Sequence, residues 1–158
     1  MAVTRNYDEM ADRYTYFGSL QQIRKEKHGI GQIYVQPGFV DLKDGGDTFW
    51  FMFHRKGDDW HWLSNTDFII LADNQRFSGV GYVQDSKVTE EMGWFETKVL
   101  CNEWIHCGTS VEIMRVIASS SSLKMRLGDV DMTLPQAFNA DVNEIVAAIN
   151  NGQSYGAE

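Results

Sequence analysis

Positive charge is scarce in this chain. Its 14 Lys and Arg residues stand against 22 Asp and Glu residues, for a formal net charge of −8 and a pI near 4.9. A phosphate-binding surface needs clustered basic side chains. The densest basic group, residues 24–27, reads Arg-Lys-Glu-Lys and is interrupted by an acid. We therefore expect no nucleic acid among the partners.

Long apolar runs are also missing. No stretch approaches the roughly 18 residues that a membrane-spanning helix needs. The opening residues, MAVTRNYDEMADR, carry too many charges to supply the apolar segment of a signal peptide. These absences predict a cytoplasmic protein with no membrane partner.

Cysteine occurs only twice, at Cys101 and Cys107. The two positions have the same parity, so a single straight strand would hold them about 20 Å apart. A disulfide requires Cα atoms within about 7 Å of each other. We therefore predict two free thiols, which fits a reducing compartment.

Motifs of nucleophilic or phosphate chemistry are absent as well. The sequence contains no G-x-S-x-G, and Gly29-Ile30-Gly31 lacks the third glycine and the following helix of a phosphate loop. We expect no cofactor and more readily a non-enzyme than an enzyme. A small hydrolase or other enzyme, with a cleft at a curled sheet, remains the alternative.

The chain does contain enough apolar residues for a core, with 43% hydrophobic and 13% aromatic residues over 158 positions. This length favours one domain. We predict a single α+β domain over residues 1–152 and a disordered tail over 153–158. Alternation and turn residues indicate a strongly twisted antiparallel sheet, half-barrel or sandwich-like, with a short helix and a C-terminal helix packed on it. A helix or turn at 7–12 precedes strands predicted at residues 30–35, 39–42, 48–54, 60–63, 67–72, 76–83, 94–100 and 104–107.

The last third changes period from two to 3.6. A capping box at 109–112 opens a helix, and strands at 123–127 and 130–134 follow it. The final helix is predicted from an apolar stripe formed by Phe138, Val142, Ile145 and Ile149. Asp141 and Glu144 are placed as a second capping pair, and Gly152 is the predicted stop. The serines at 119–122 read as a joint inside the domain, because serine suits helix ends better than helix interiors.

Aromatic residues are the strongest pattern. If an even-length loop at Gly57-Asp58 joins two strands, Trp60 and Trp62 share a face with Phe51 and Phe53, while Trp50 lies on the other face. Such a sheet must be covered on both sides. One interpretation makes these residues the core of a closed sandwich, and the other makes them a ligand pocket or a homodimer face. The candidate binding residues are Trp50, Trp60, Trp62 and Trp94.

The same register raises the hypothesis of a metal site with two histidine ligands. It places His54 opposite His61, so that two imidazoles could share a metal ion. Zinc requires three or four converging ligands, and no paired motif such as C-x-x-C completes the set. Two ordinary histidines are the simpler interpretation of the pair.

The order of motifs over about residues 47–149 resembles a loose family of uncharacterised small bacterial proteins. The matching stretches are Asp59-Trp60, residues 69–73, Arg76, Glu96, and residues 111–118, 123–128 and 132–134. The resemblance implies a curled antiparallel sheet with helices packed on it, and it implies no catalytic residues.

The leading hypothesis for the function, on the sequence alone, is a non-catalytic binding or interaction module that uses an aromatic-rich sheet face. We expect a homo-oligomer, with a small molecule or a peptide as the alternative ligand.

Overall fold

The computed structural model describes residues 3–24, 31–41 and 48–155. These residues form eleven strands and two helices. The strands are β1 (Thr4–Asp8), β2 (Arg13–Phe17), β3 (Gln21–Arg24), β4 (Gln32–Asp41), β5 (Thr48–Gly57), β6 (Asp67–Ala72), β7 (Gln75–Val80), β8 (Tyr82–Met92), β9 (Thr97–Thr109), β10 (Leu123–Leu127) and β11 (Val130–Thr133). The helices are α1 (Val111–Ser119) and α2 (Gln136–Tyr155). The predicted α+β class is confirmed.

Two antiparallel sheets make up the fold. Sheet A has seven strands in the order β1-β2-β4-β5-β9-β8, with β3 also pairing with β4. Sheet B has four strands in the order β11-β10-β6-β7. The chain passes from sheet B to sheet A at Gly81, which is buried between β7 and β8. Its N–H donates to the Thr66 carbonyl at 2.8 Å, and the Thr66 hydroxyl donates to the Gly81 carbonyl at 2.7 Å.

The core lies between the inner faces of the two sheets and α2. Alternate residues of β5 point inward, and Phe51 stacks on Phe138 of α2 with ring centroids 5.1 Å apart. Sheet B contributes the inward residues of β6, β10 and β11, which are fully or nearly fully buried. The stripe predicted for α2 is confirmed, since Phe138, Val142, Ile145 and Ile149 are all buried.

Helix α2 is tied to sheet A by a buried carboxylate. Asp141 was predicted to cap the helix, but α2 already begins at Gln136, so Asp141 lies inside it. Its Oδ2 accepts hydrogen bonds from the Ser19 N–H at 2.8 Å and from Gln21 Nε2 at 3.1 Å. The prediction of a capping pair is therefore wrong, and so is the stop at Gly152, because α2 continues to Tyr155.

Of the four serines, Ser119 ends α1 and the other three connect the helix to β10. Ser110 caps the start of α1 by accepting from the Ile113 N–H, one residue later than the predicted Thr109. At the other end, the Ser120 N–H donates to the Ile117 carbonyl. The next two serines donate their backbone N–H groups to the Asp73 carboxylate. The connection is thus hydrogen-bonded to the β6–β7 turn.

Several strand predictions need correction, and residues 76–83, predicted as one strand, are divided at Gly81 between β7 and β8. Residues 60–63 form a loop, and β5 pairs with β4 and β9 instead. Strand β4 runs unbroken through Pro37. The Pro37 carbonyl accepts from the Gly18 N–H, which lies just beyond the end of β2. The missing N–H of the proline therefore costs no ladder hydrogen bond at this position. Strand β8 extends to Met92, although its polar sequence predicts only its first residues as strand. The turn at 7–12 belongs to a hairpin of β1 and β2. Asp44-Gly45-Gly46-Asp47 is typical of a turn, and these residues lie outside the part of the chain that the structure describes.

Candidate interaction site

The β8–β9 hairpin extends past the rest of sheet A. Strand β5 pairs with β9 only as far as Cys101, which lies opposite Gly57. Beyond that point, β8 and β9 have no other strand partner among the described residues, and they pair with each other from Thr89 opposite Leu100 to Met92 opposite Thr97. We call residues 89–100 the arm. It is a two-stranded ribbon, and nearly every side chain in it is exposed.

A tight turn closes the arm and presents two aromatic rings to solvent. The Gly93 N–H donates to the Glu96 carbonyl at 2.8 Å, so residues 93–96 form the turn. Trp94 is 98% exposed, and the neighbouring Phe95 is fully exposed. Met92, at the end of β8, is 90% exposed. We call residues 92–96 the tip.

Acidic side chains surround these apolar groups. Glu90, Glu91 and Glu96 are exposed at or beside the tip, and Lys98 is the only basic residue in the arm. Glu91 forms an ion pair with Lys56 of β5, which fastens the arm to the body of sheet A. The tip is therefore an apolar pair of rings with a negatively charged rim.

The base of the arm is held by a buried ion pair. Arg55 of β5 and Glu103 of β9 are both fully buried and face each other at 3.0 Å. The second carboxylate oxygen of Glu103 accepts from the backbone N–H groups of His61 and Trp62, at 3.0 and 2.7 Å. Arg55 also donates to the Asp59 carbonyl at 2.7 Å. These bonds fix the loop that follows β5 against sheet A.

The four predicted binding tryptophans are not brought together. Trp62 is fully buried in the core, packs edge-on against Phe53, and donates its indole N–H to the Leu127 carbonyl at 3.1 Å. Trp60 is 40% exposed on the loop after β5. Trp50 is only 7% exposed on the outer face of sheet A, where its ring covers Gly38. Trp94 alone of the four is almost fully exposed.

The outer face of sheet A carries stacked histidines. His54 lies between Tyr34 and Trp104, with ring centroids 5.8 and 4.4 Å away, and its Nε2 is 3.0 Å from Asn102 Oδ1. Burial lowers the pKa of His54 below its usual value; the Asn102 hydrogen bond opposes this effect, and Lys56 adds to it. Burial and Lys56 together favour a neutral ring, which packs between the two aromatic rings.

His106 is placed in the same way, one cross-strand row further along. Its ring stacks on Tyr82 at 4.8 Å and lies 5.5 Å from Trp50. Burial lowers its pKa. Within the described part of the chain its Nδ1 has no hydrogen-bond partner. A ring that is already desolvated and stacked binds a proton poorly.

The pairing of His54 with His61 is wrong. His54 faces Tyr34 and Trp104 across the ladder, whereas His61 lies in the loop, with Nε2 2.8 Å from Asp129 Oδ1. Over residues 3–24, 31–41 and 48–155, no group of three or more His, Cys, Asp or Glu side chains could hold a metal ion. The metal hypothesis for these two histidines therefore loses the register on which it depended.

A second feature, an open cleft of about 590 Å³, lies on the outer face of sheet B. Cross-strand pairing places two rows of side chains there. One row runs Arg76, Leu71, Lys124, Thr133, and the other runs Ser78, Ile69, Arg126, Asp131. Arg126 and Asp131 form a bidentate ion pair, at 2.6 and 3.1 Å. The cleft therefore has an apolar floor, and three basic residues against one acidic residue. We call it the basic cleft.

Both thiols are free, as predicted, and both are buried. Burial raises the pKa of Cys107 to about 12, so its sulfur stays protonated at neutral pH. Neither cysteine is placed to act as a nucleophile at the tip or in the basic cleft, since both face inward from β9.

Comparison with known proteins adds no relative, because no family model, curated protein or solved structure matches this chain. The resemblance to uncharacterised small bacterial proteins stays a prediction. In the described residues, neither helix has the length and apolar character that crossing a membrane requires.

Two features of the site were missed from sequence. The sequence predicts a strand from Trp94 onwards, whereas Gly93-Trp94-Phe95-Glu96 between two stretches of β-forming residues also fits a hairpin turn. In the sequence, the only trace of the basic cleft is that polar residues alternate with apolar ones over residues 123–127. Lys124 and Arg126 at a spacing of two, in a chain this acidic, were the available indication.

Proposed function

We propose that the protein is a non-catalytic binding module that docks onto another protein through the tip of its arm. The observation that carries this proposal is the full exposure of Trp94 and Phe95. A turn needs no large apolar residues, and glycine, asparagine or aspartate would form it with less loss of solubility. These two rings contribute nothing to the core, so their presence supports a role in contact with a partner.

The chemistry of the tip indicates the partner's surface. Buried aromatic side chains dominate the energetics of protein interfaces, and they are typically surrounded by a polar rim. Here that rim contains Glu90 and Glu96, and Glu91 is already paired with Lys56. A complementary surface is an apolar pocket edged with basic residues. An anionic membrane is disfavoured, because its surface potential repels these carboxylates.

Site-specific photo-cross-linking tests the proposal. The photo-reactive residue p-benzoylphenylalanine is placed at position 95 and, as a matched control, at the exposed position of Arg115 on α1. In an extract of the native cells, position 95 should cross-link to a defined protein. Unlabelled wild type in excess should compete, and a Trp94→Ser/Phe95→Ser variant should not.

Several results would contradict docking through the tip. These are equal cross-linking at positions 95 and 115, equal competition by wild type and variant, and binding to vesicles of anionic lipid in place of protein. Circular dichroism and a urea midpoint should show that the double variant is folded like wild type, because both side chains lie outside the core.

A further inference from the structure

We infer that the partner of the tip is a second copy of this chain, and that the tip of one copy docks into the basic cleft of the next. This inference rests on the proposed docking role of the tip. It concerns two surfaces that the fold holds far apart and that differ in charge.

The basic cleft concentrates positive charge in an acidic protein. The chain carries a net charge of −8, yet three basic residues and one acidic residue line the cleft. Asp131 is engaged by Arg126, which leaves Arg76 and Lys124 on either side of Leu71 as the charges facing an incoming group. A ligand for this surface should be apolar in its centre and negative at its edge.

The tip has that composition. Trp94 and Phe95 can cover the apolar floor made by Ile69 and Leu71, while glutamates at the rim meet the basic side chains. Cations such as the Arg76 guanidinium also bind favourably over aromatic faces, and most strongly over tryptophan. The two surfaces therefore match in both apolar character and charge.

A copy cannot fill its own cleft. Strand β8 begins next to Gly81, where the chain leaves sheet B, and it runs extended to Met92. Eleven residues of strand place the tip roughly 35 Å from that corner. The contact is therefore between molecules and uses two different surfaces. Such head-to-tail contacts build rings or open filaments instead of closing as a two-fold dimer.

The contact should be weak for a single pair of molecules. Two aromatic rings with a charged rim form an interface at the small end of the range for specific complexes. Association should therefore rise with protein concentration and fall as salt screens the charged rim.

A complementation experiment tests the inference. The tip variant is Trp94→Ser/Phe95→Ser, the cleft variant is Lys124→Glu, and Arg115→Glu is a control with the same change of charge. Analytical ultracentrifugation should show concentration-dependent assembly of the wild type and the control. The tip variant should lose association about 30-fold or more, as expected for a buried aromatic anchor. The cleft variant should lose it about tenfold or more.

The mixture of the two defective variants is decisive. The cleft variant still has a tip and the tip variant still has a cleft, so each mixed pair retains one working contact. The mixture should form 1:1 dimers and nothing larger. A wild type that stays monomeric at all accessible concentrations, a cleft variant that assembles like the control, or a mixture without dimers would each overturn the inference.

These failures can be told apart from failure of the proposed function. If wild type is monomeric but position 95 still cross-links to another protein, then docking through the tip stands and only the second copy is excluded. If wild type assembles and the tip variant assembles equally, the second copy is excluded as the partner of the tip. The proposed function fails as well if position 95 then cross-links no more than position 115.

Discussion

Replacing Glu103 by glutamine keeps the shape of a buried side chain and removes its charge. In the native protein one carboxylate oxygen accepts from Arg55, and the other accepts from the backbone N–H groups of His61 and Trp62. The amide of glutamine offers one acceptor oxygen and one NH₂ group. It must therefore point a donor either at the Arg55 guanidinium or at the two backbone donors, and the arginine keeps the exposed Asp59 carboxylate, 3.1 Å from its Nη2, as a counter-charge.

The cost follows from the complete burial of both partners. Breaking a buried ion pair by removing one partner typically costs about 3–5 kcal/mol, and we expect the lower end, about 3 kcal/mol, because Asp59 still compensates part of the Arg55 charge. That is a large share of the roughly 5–15 kcal/mol that holds a typical domain folded. With a urea m-value of about 2 kcal/mol/M, the unfolding midpoint should fall by about 1.5 M.

Urea unfolding followed by circular dichroism measures this change, and Asp131→Asn is the matched control. Asp131 also forms a bidentate pair, with Arg126, but both side chains are exposed. Water screens such a pair, so the control should shift the midpoint little. If Glu103→Gln and Asp131→Asn shift it equally, the buried pair does not hold the loop after β5 in the way described.

Three further predictions concern the outer face of sheet A and the thiols. Gly38→Ala would place its Cβ 1.9 Å from the Trp50 ring, so it should lower the free energy of unfolding by about 1–3 kcal/mol. Gly108→Ala, whose Cβ would have its nearest contact at 3.7 Å, should be tolerated. Equal urea midpoints for the two variants would contradict the packing of Trp50. The lowered pKa of His106 means that the unfolded state binds more protons, so its contribution to stability is present above about pH 6.5 and is lost as pH falls through the folded pKa. His106→Phe should flatten the dependence of the urea midpoint on pH between about 7 and 5, and an unchanged slope would exclude this role. Iodoacetamide at pH 8 should label Cys107 slowly in native protein, since burial raises its pKa to about 12, and rapidly after unfolding, as mass spectrometry of the peptide would show.

The elements predicted well from sequence are those in which one face is buried. Strands β6, β10 and β11 and the stripe of α2 alternate or repeat as their burial does, so periodicity was sufficient to find them. Strand β8 lacks such a pattern, because both of its faces are exposed in the arm. Its strand conformation comes from pairing with β9, which no local pattern records.

The loop at residues 58–66 shows a different limit. Trp60-His61-Trp62-Leu63 is typical of a strand, yet its backbone donates to Glu103, which lies about 40 residues further along the chain. One buried carboxylate outweighs the local preference, and the predicted partnership of His54 with His61 fails with it. The sequence identifies all four candidate tryptophans, but it does not distinguish Trp62, which is buried in the core, from Trp94, which is exposed at the tip. Burial depends on contacts between distant segments.

The corner at Gly81 has a mechanical consequence. Strands β7 and β8 are one continuous stretch of backbone, and hydrogen bonds with Thr66 fasten the residue between them. A pull on the tip is therefore transmitted along β8 into sheet B, and along β9 into α1. Because ladder hydrogen bonds lie perpendicular to the strands, such a pull loads many of them in shear at the same time. A force that peeled one strand from the next would instead break them one by one. Under tension the molecule should behave as a stiff link between whatever holds its tip and whatever rests against sheet B.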